Sequence, residues 1–192
     1  MSHDTSTRAQ ATRAQVTRPD STSGSGADAQ NLYDADILLW SEQQAALIRA
    51  LGRRRDLPND LDIENVAEEI ESVGRSELAA VESKIELIIL HVLKLVLEPD
   101  APPARHWRAE IAGFHANLRR RWAPSMRQRI DLDALWRSAR QRTVLAHEGT
   151  PLQPVAENLP ATSPFTLDDF LGERIDPAAL TARLQAPPAA PV

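Results

Sequence analysis

Two groups of polar residues are the strongest candidates for chemistry in this sequence. One group recurs at i, i+4, i+7 and i+11 and so shares one face of a helix: Glu64, Glu68, Glu71 and Arg75. The other, His91 with Lys94, interrupts the most apolar stretch of the chain, IELIILHVLKLVL. An unpaired charge in an apolar interior costs on the order of several kcal/mol, so both side chains need partners. We therefore expect the acidic face to contact them and to form one polar cluster.

This polar cluster permits two interpretations. As a structural element, it is a clamp that sets how two helices pack. As a site of chemistry, it predicts a small hydrolase centred on Glu68, Glu71 and His91, with the imidazole as general base and Lys94 stabilising negative charge. Neither a metal nor another cofactor is predicted. Di-metal helical bundles use Glu-x-x-His pairs, which this sequence lacks, and it has no glycine-rich phosphate loop.

A second candidate site is basic. Between residues 105 and 142, ten arginines against three acids give a local charge of +7, and three of the arginines are consecutive: Arg119, Arg120 and Arg121. Such a surface suits phosphate, so an RNA-directed protein is an alternative, either a binder or a ribonuclease that uses these helices. Arg142 and His147 have an Arg-x-x-x-x-His spacing that resembles the HEPN group of helical ribonucleases.

An acidic segment precedes the basic one. From residue 56 to residue 86, ten acids against two bases give a local charge of −8. Segments of opposite sign either neutralise each other across a pair of helices or form two outward faces that steer different partners. The sequence favours mutual neutralisation.

The elements that must position these residues are helices. The first is predicted from a cap at Asp34 to a stop at Gly52, with an apolar stripe of Ile37, Trp40, Gln44, Leu47, Ile48 and Leu51. The next begins at a cap at Asp62 and ends at Leu97, and Gly74 either breaks it or allows a close approach. Its first half is expected to bury one edge, made of Ile63, Val66, Ala67, Ile70 and Val73.

Two more helices follow. One, from about residue 105 to residue 122, has a one-face stripe that we expect to pack against the helix ending at Leu97: Trp107, Ile111, Phe114, Leu118 and Trp122. The other begins at a cap at Asp131 and ends near Gly149. Beyond it the chain is rich in proline and is expected to be mostly extended. The exception is a short docked helix at 165–170, where Thr166 and Asp169 resemble a capping box between two phenylalanines.

These elements predict an all-α fold, a compact bundle of about five helices with a short C-terminal docked helix and disordered tails. Residues 31–175 form the single domain, and residues 1–30 and 176–192 form the tails, since they have few large apolar side chains to bury. The chain has no cysteine, no apolar segment long enough to cross a bilayer and no apolar core of a signal peptide at its start. We expect a soluble cytoplasmic protein without a membrane partner.

Five segments, in this order and spacing, carry a family resemblance: YDADILLWSEQQAALIRA, DIENVAEEIESVGRSE, LHVLKLVLEP, RHWRAEI and SPFTLDDFL. Together they resemble the small bacterial proteins catalogued as domain of unknown function family twenty-nine. The resemblance extends from about Tyr33 to Leu171. It implies an all-α fold and no assigned activity or catalytic residues.

The favoured function is therefore that of a non-enzymatic helical interaction module whose partner is another protein. The RNA-directed protein and the small hydrolase are the alternatives, and nucleic acid is the less favoured partner. Nothing in the sequence determines the oligomeric state.

Overall fold

Helices form every regular element in the described part of the chain, which confirms the all-α prediction. The structure is a computed structural model that describes residues 31–54, 56–58 and 60–185. The predicted N-terminal tail and residues 186–192 lie outside the described residues. None of the described helices is both long enough and apolar enough to cross a membrane.

A helical turn at residues 31–35 leads into the first long helix. The elements that follow are α1 (Ile37–Leu51), α2 (Ile63–Leu97), α3 (Ala104–Arg121), a 3-10 helix (Pro124–Gln128), α4 (Leu132–Ala146), α5 (Gln153–Glu157), α6 (Asp168–Leu171) and α7 (Pro177–Gln185). The short loop from residue 98 to residue 103 reverses the chain between α2 and α3, and α3, α4 and α7 all pack against α2.

The central helix of the fold is α2, whose 35 residues make it about 52 Å long. Its second half supplies most of the core, including the fully buried Ile85, Ile88 and Leu93. Gly74 does not interrupt it. A Cβ atom at this glycine would lie 2.1 Å from Ser41 Oγ and 3.1 Å from Leu38 Cα. Of the two roles predicted for Gly74, the close approach of a second helix is therefore the correct one.

The cap of α1 is Asp36, and the prediction of Asp34 is wrong. Asp36 Oδ1 accepts a hydrogen bond from Leu39 N at 3.0 Å, as an N-cap carboxylate does. The same buried carboxylate also accepts hydrogen bonds from the backbone N and the hydroxyl of Ser125, at 2.8 and 2.7 Å. This partner in the 3-10 helix comes from 89 residues further along the chain, so no local pattern distinguishes the two aspartates.

The predicted stripe of α3 faces the core. Ile111 and Leu118 are fully buried, and Trp107, Phe114 and Trp122 are half-buried against the same cluster. The next helix, α4, begins at its predicted cap, because Asp131 Oδ1 accepts a hydrogen bond from Ala134 N at 2.9 Å. It ends at Ala146, just before the predicted limit.

The chain beyond Thr150 is more helical than predicted. Phe165 and Phe170 stack edge to face with ring centroids 5.7 Å apart, and Asp169 Oδ2 accepts a hydrogen bond from Thr166 N at 2.8 Å, so the docked helix is confirmed. The prediction of a disordered tail from residue 176 is wrong for residues 177–185. They form α7, which packs on α2 through Leu180, only 3% exposed. Two leucines, Leu180 and Leu184, in a nine-residue alanine-rich segment are too weak a local signal to identify this helix.

Candidate functional site

The acidic face of α2 surrounds an arginine of α1 that the sequence analysis did not single out. Arg49 Nη2 lies 2.7 Å from Glu71 Oε2 and 3.7 Å from Glu68 Oε2, and its Nε lies 3.4 Å from Glu64 Oε2. Arg75 also pairs with Glu68. The hydrogen bond from Arg49 is the main cause that lowers the pKa of Glu71 below its usual value. These residues form a solvated ion-pair network that links α1 to α2.

His91 and Lys94 take no part in that network. They follow on the same continuous helix, and the twenty residues from Glu71 to His91 correspond to about 30 Å along its axis. The prediction of one polar cluster is therefore wrong. It required the acidic face and His91 to lie on two helices that face each other, whereas they lie towards opposite ends of one helix.

The partner of His91 is instead an acid on α3. His91 Nε2 lies 2.9 Å from Glu110 Oε2, and His91 Nδ1 lies 2.8 Å from the carbonyl oxygen of Leu87. The other carboxylate oxygen of Glu110 lies 3.4 Å from Nε2 of the exposed His106. Lys94 Nζ lies over the ring of Trp107, 5.6 Å from its centroid, which is a cation–π arrangement. His91 and Lys94 thus both join α2 to α3.

This geometry does not support the hydrolase. Glu68 and Glu71 are tens of ångströms from His91, so the three side chains cannot act on one substrate. In addition, both ring nitrogens of His91 already contact oxygen acceptors, which leaves neither free to take a proton from a substrate.

The same arrangement recurs at His147. Its Nδ1 lies 2.8 Å from the carbonyl oxygen of Thr143, and its Nε2 lies 3.2 Å from Glu98 Oε1 at the end of α2. Arg142 donates a hydrogen bond to Glu86 at 3.1 Å. Arg142 and His147 are therefore occupied by different acids of α2, and a spacing of five residues separates them by about 140° around the helix. They do not form a shared ribonuclease site.

The predicted basic surface is largely engaged within the protein. Arg121 Nη1 lies 2.8 Å from both carboxylate oxygens of Glu77, Arg119 donates to the carbonyl oxygen of Glu173 at 2.8 Å, and Arg120 pairs with Asn117. The pairs that Arg121 and Arg142 form with glutamates of α2 cross between the basic and acidic segments, as mutual neutralisation requires. All three side chains are exposed, and within the triplet Arg121 is the one that pairs with a carboxylate among the described residues.

The most distinctive surface lies on a pair of helices that projects from the bundle. We call α1 together with residues 63–76 of α2 the arm. Before Glu77, every side-chain hydrogen bond from α2 to another described element goes to α1. The two helices meet through small side chains, since Ser41 and Ala45 of α1 and Ala67 and Gly74 of α2 are buried between them.

The arm has two different flanks. One carries the Arg49 network. The other, which we call the apolar flank, carries the α1 stripe Ile37, Trp40, Gln44, Leu47 and Leu51 and the α2 stripe Val66, Ile70 and Val73. Eight large apolar side chains are exposed in the described residues, and five of them belong to this flank and its inner end: Tyr33, Leu47, Leu51, Val66 and Val73. The expectation that Val66 and Val73 are buried is therefore wrong.

A cavity of about 360 Å³ lies at the inner end of the apolar flank, where the arm joins the bundle. Its apolar lining includes Tyr33 of the first helical turn, Ile37 of α1, Val73 of α2 and Trp122, which follows α3. Its charged lining includes Asp34, Glu77, Arg120 and Arg121. Because side chains of α1 and α2 line it together, the two apolar stripes lie on the same side of the arm.

The sequence predicts both apolar stripes of this flank, but it predicts that the α2 stripe is buried. The signal was present, because both stripes have helical periodicity. Periodicity alone does not show that α1 and α2 pack through a different face, the one beside these stripes that carries small side chains. Among the described residues, no three His, Asp or Glu side chains are arranged to hold a metal ion.

The model of the family described as "Domain of unknown function DUF29" matches residues 32–175. The chain belongs to the DUF29 family. This match contains the arm, α3, α4 and the docked α6, so the candidate surface is part of the DUF29 domain itself.

A solved relative has the same fold. It is the crystal structure of an alpha-helical protein of unknown function from Rhodospirillum rubrum, 39% identical in sequence, with a TM-score of 0.71. The match covers 79% of this chain and 96% of the relative. No curated protein matches the chain at a significant level.

Proposed function

We propose that this DUF29 protein is a helical protein-interaction module that binds its partner through the apolar flank of the arm. The observation that carries the proposal is the concentration of exposed apolar side chains there. Leu47 is 59% exposed, and Leu51, Val66 and Val73 lie within one or two helical turns of it on the same flank. Scattered apolar residues are normal on a protein surface, whereas a contiguous patch marks an interaction site.

Neither terminal segment has the composition to cover this flank. Residues 1–30 contain only Met1 and Val16 as large apolar side chains, and residues 186–192 contain only Val192. The hydrophobic effect is proportional to the apolar area removed from water, so such segments gain little by binding an apolar face. A partner with its own apolar stripe gains much more.

The shape of the flank favours a helical partner. Two antiparallel helices leave a shallow groove between them, and an amphipathic helix places its apolar face in such a groove through residues at i, i+3, i+4 and i+7. The fifteen residues of α1 give the groove a length of about 22 Å. The buried imidazoles of His91 and His147 favour an interaction module over an enzyme, because both are occupied by contacts between helices.

Site-specific photo-crosslinking in living cells tests the proposal. A photoreactive amino acid at position 47 should form a protein adduct, because Leu47 is the most exposed large apolar side chain of the flank. The matched control is position 145, since Leu145 is 61% exposed but lies on α4, away from the arm. The adduct is then identified by its mass and tryptic peptides.

The identified partner, purified, should bind the parent chain and the Leu145→Glu variant equally. Leu47→Glu should weaken the binding by on the order of 100-fold, because the carboxylate would have to be desolvated at the contact. Equal yields of adduct at positions 47 and 145 would contradict the proposal. So would a partner that binds Leu47→Glu as well as it binds the parent.

A further inference from the structure

We infer that the outer face of α3, the face turned away from the core, binds the phosphate backbone of duplex DNA. The inference goes beyond the proposed function, because it assigns a second partner to a different helix. Four arginines carry it, and all four are exposed: Arg105, Arg108, Arg119 and Arg120. At about 100° per residue they fall within about 120° of one another around α3, so they share one face.

The charge of these four arginines is not neutralised among the described residues. Every ion pair that α3 makes there involves Glu110 or Arg121. Arg119 donates to a backbone carbonyl oxygen, and Arg120 pairs with a side-chain amide. Contacts with neutral groups orient a guanidinium and leave its positive charge in place. The arginines that neutralise the acidic segment are thus different ones from those on the outer face.

The acids nearest to this face do not cancel its charge. Glu110 contacts His91, on the side of α3 that meets α2. Asp100 lies in the loop before α3, and Glu173 follows α6; both are exposed, and neither forms an ion pair with the four arginines. Because Arg174 follows Glu173 directly, five arginines stand against these two acids. The face therefore attracts an anionic partner.

The residues between the arginines favour a nucleic-acid duplex over other polyanions. The exposed positions there hold Ala109, Ala112, Gly113 and Ala116. A helix that lies on an anionic membrane has large apolar or aromatic side chains beside its cations, and a protein interface has a core of such side chains. Binding of a single strand uses exposed aromatic rings for stacking. Backbone contacts to a duplex require only hydrogen-bond donors and positive charge, which arginine supplies in bidentate form.

The spacing of the arginines suits B-form DNA. Arg105 and Arg120 are about 22 Å apart along α3. The major groove of B-DNA is about 12 Å wide, so arginines at both ends of a helix laid across it reach the phosphates of the two bordering strands. The major groove of A-form RNA is deep and narrow, and it does not admit a helix in this way. The face is therefore complementary to a DNA duplex.

Fluorescence polarisation tests the inference, with the purified full-length chain and a labelled DNA duplex of about 20 base pairs. The Kd in 50 mM salt should be on the order of 10 µM. Each phosphate contact contributes about 0.9 to the slope of log Kd against log salt, so four contacts give a slope of about 3.6. Binding should therefore weaken by on the order of 100-fold between 50 and 200 mM salt.

Single substitutions assign the binding to α3. Arg105→Gln and Arg120→Gln should each weaken binding in 50 mM salt by on the order of tenfold and lower the slope by about 0.9, because each removes one phosphate contact. Arg137→Gln is the matched control, since it removes one charge from an exposed arginine of α4, and it should change neither quantity. Circular dichroism should show the parent's helix content in all three variants.

The absence of binding in 50 mM salt at about 500 µM protein would overturn the inference. So would binding that Arg105→Gln and Arg120→Gln leave unchanged, because the phosphates would then contact another part of the chain. An RNA duplex of the same sequence, or vesicles with about 30% phosphatidylserine, bound as tightly as the DNA would show that the occupant is wrong.

These outcomes are separate from those that test the proposed function. Leu47→Glu, which should weaken binding of the protein partner, should bind the DNA duplex as the parent does. A loss of DNA binding in Leu47→Glu equal to that in Arg105→Gln would overturn the assignment of the DNA to the outer face of α3.

Discussion

The substitution Gly74→Ala tests how the arm is held together. In an isolated helix, alanine is more favourable than glycine by about 0.5–1 kcal/mol, because glycine loses more backbone entropy on folding. Here the added methyl would lie 2.1 Å from Ser41 Oγ and 3.1 Å from both Cα and Cδ1 of Leu38. The substitution therefore sets a favourable local effect against an unfavourable tertiary one.

The tertiary effect should dominate. Ser41 can rotate away only by breaking its 2.9 Å hydrogen bond to the carbonyl oxygen of Leu38, and Leu38 Cα is a backbone atom that moves only with α1. Overpacking of this kind costs about 1–3 kcal/mol. After the gain in helix propensity is subtracted, we expect a net loss of about 1–2 kcal/mol. This corresponds to a fall in Tm of about 3–6 °C.

Gly113→Ala is the matched control. Gly113 also lies inside a long helix, α3, but an added Cβ there meets nothing within 4 Å. This variant should gain about 0.5–1 kcal/mol from propensity alone. Thermal and urea unfolding of the two variants, followed by circular dichroism, should thus shift in opposite directions.

A double-mutant cycle assigns the effect to its cause. Gly74→Ala combined with Ser41→Ala removes the closest contact, so the double variant should be more stable than the sum of the single effects by at least about 0.5 kcal/mol. The close approach of α1 and α2 would be refuted if Gly74→Ala were as stable as Gly113→Ala. An additive cycle would show that Ser41 is not the obstacle.

Three further predictions concern the bundle. Leu180→Ala should cost about 2–5 kcal/mol in urea unfolding, because α7 is anchored by this buried side chain; unchanged stability would show that α7 does not belong to the fold. Burial raises the pKa of Glu82, so its charged form is less favourable in the folded protein and Glu82→Gln should raise Tm at pH 7. The difference in Tm should shrink as falling pH protonates the carboxylate of the parent. A lower Tm for the variant at pH 7 would contradict this. Burial lowers the pKa of His115 below 6.5, and the charge of Arg119 lowers it further, while the hydrogen bond to the carbonyl oxygen of Gly172 opposes both. The imidazole in the folded state therefore binds a proton less readily than in the unfolded chain. Stability should therefore fall as pH drops from 6.5, and a parallel pH profile in His115→Gln would exclude this cause.

Several features of this protein follow from short stretches of its sequence. The capping carboxylates of Asp62 and Asp131 accept hydrogen bonds from backbone nitrogens three residues later in the chain. The carboxylate of Asp169 accepts one from the backbone nitrogen of Thr166, three residues earlier. These contacts form within one turn of chain, so a local pattern contains all the information they require. The apolar period of α3 likewise identifies its buried face, because all of its large apolar side chains fall on that one face.

The candidate site is different, because it depends on which face of a helix meets another helix. In α1 the stripe from Ile37 to Leu51 is more apolar than the face that packs, which is built from Leu38, Ser41 and Ala45. Small side chains let two backbones approach closely, and Gly74 on α2 completes that contact. Periodicity measures how apolar a face is, whereas packing depends on shape complementarity with a segment about thirty residues away. The exposed flank is the consequence of that long-range fit.

For the polar pairs, too, the sequence determines the need for a partner and the tertiary structure decides which residue it is. The sequence alone determined that His91 and Lys94 would need partners, because both lie in an apolar stretch. The identity of those partners, Glu110 and Trp107, was decided by the reversal of the chain after α2, which lays the start of α3 against them. The acids at Glu68 and Glu71 were nearer in sequence and matched in charge. They could not serve, because a continuous helix holds residues twenty positions apart at a fixed distance of about 30 Å.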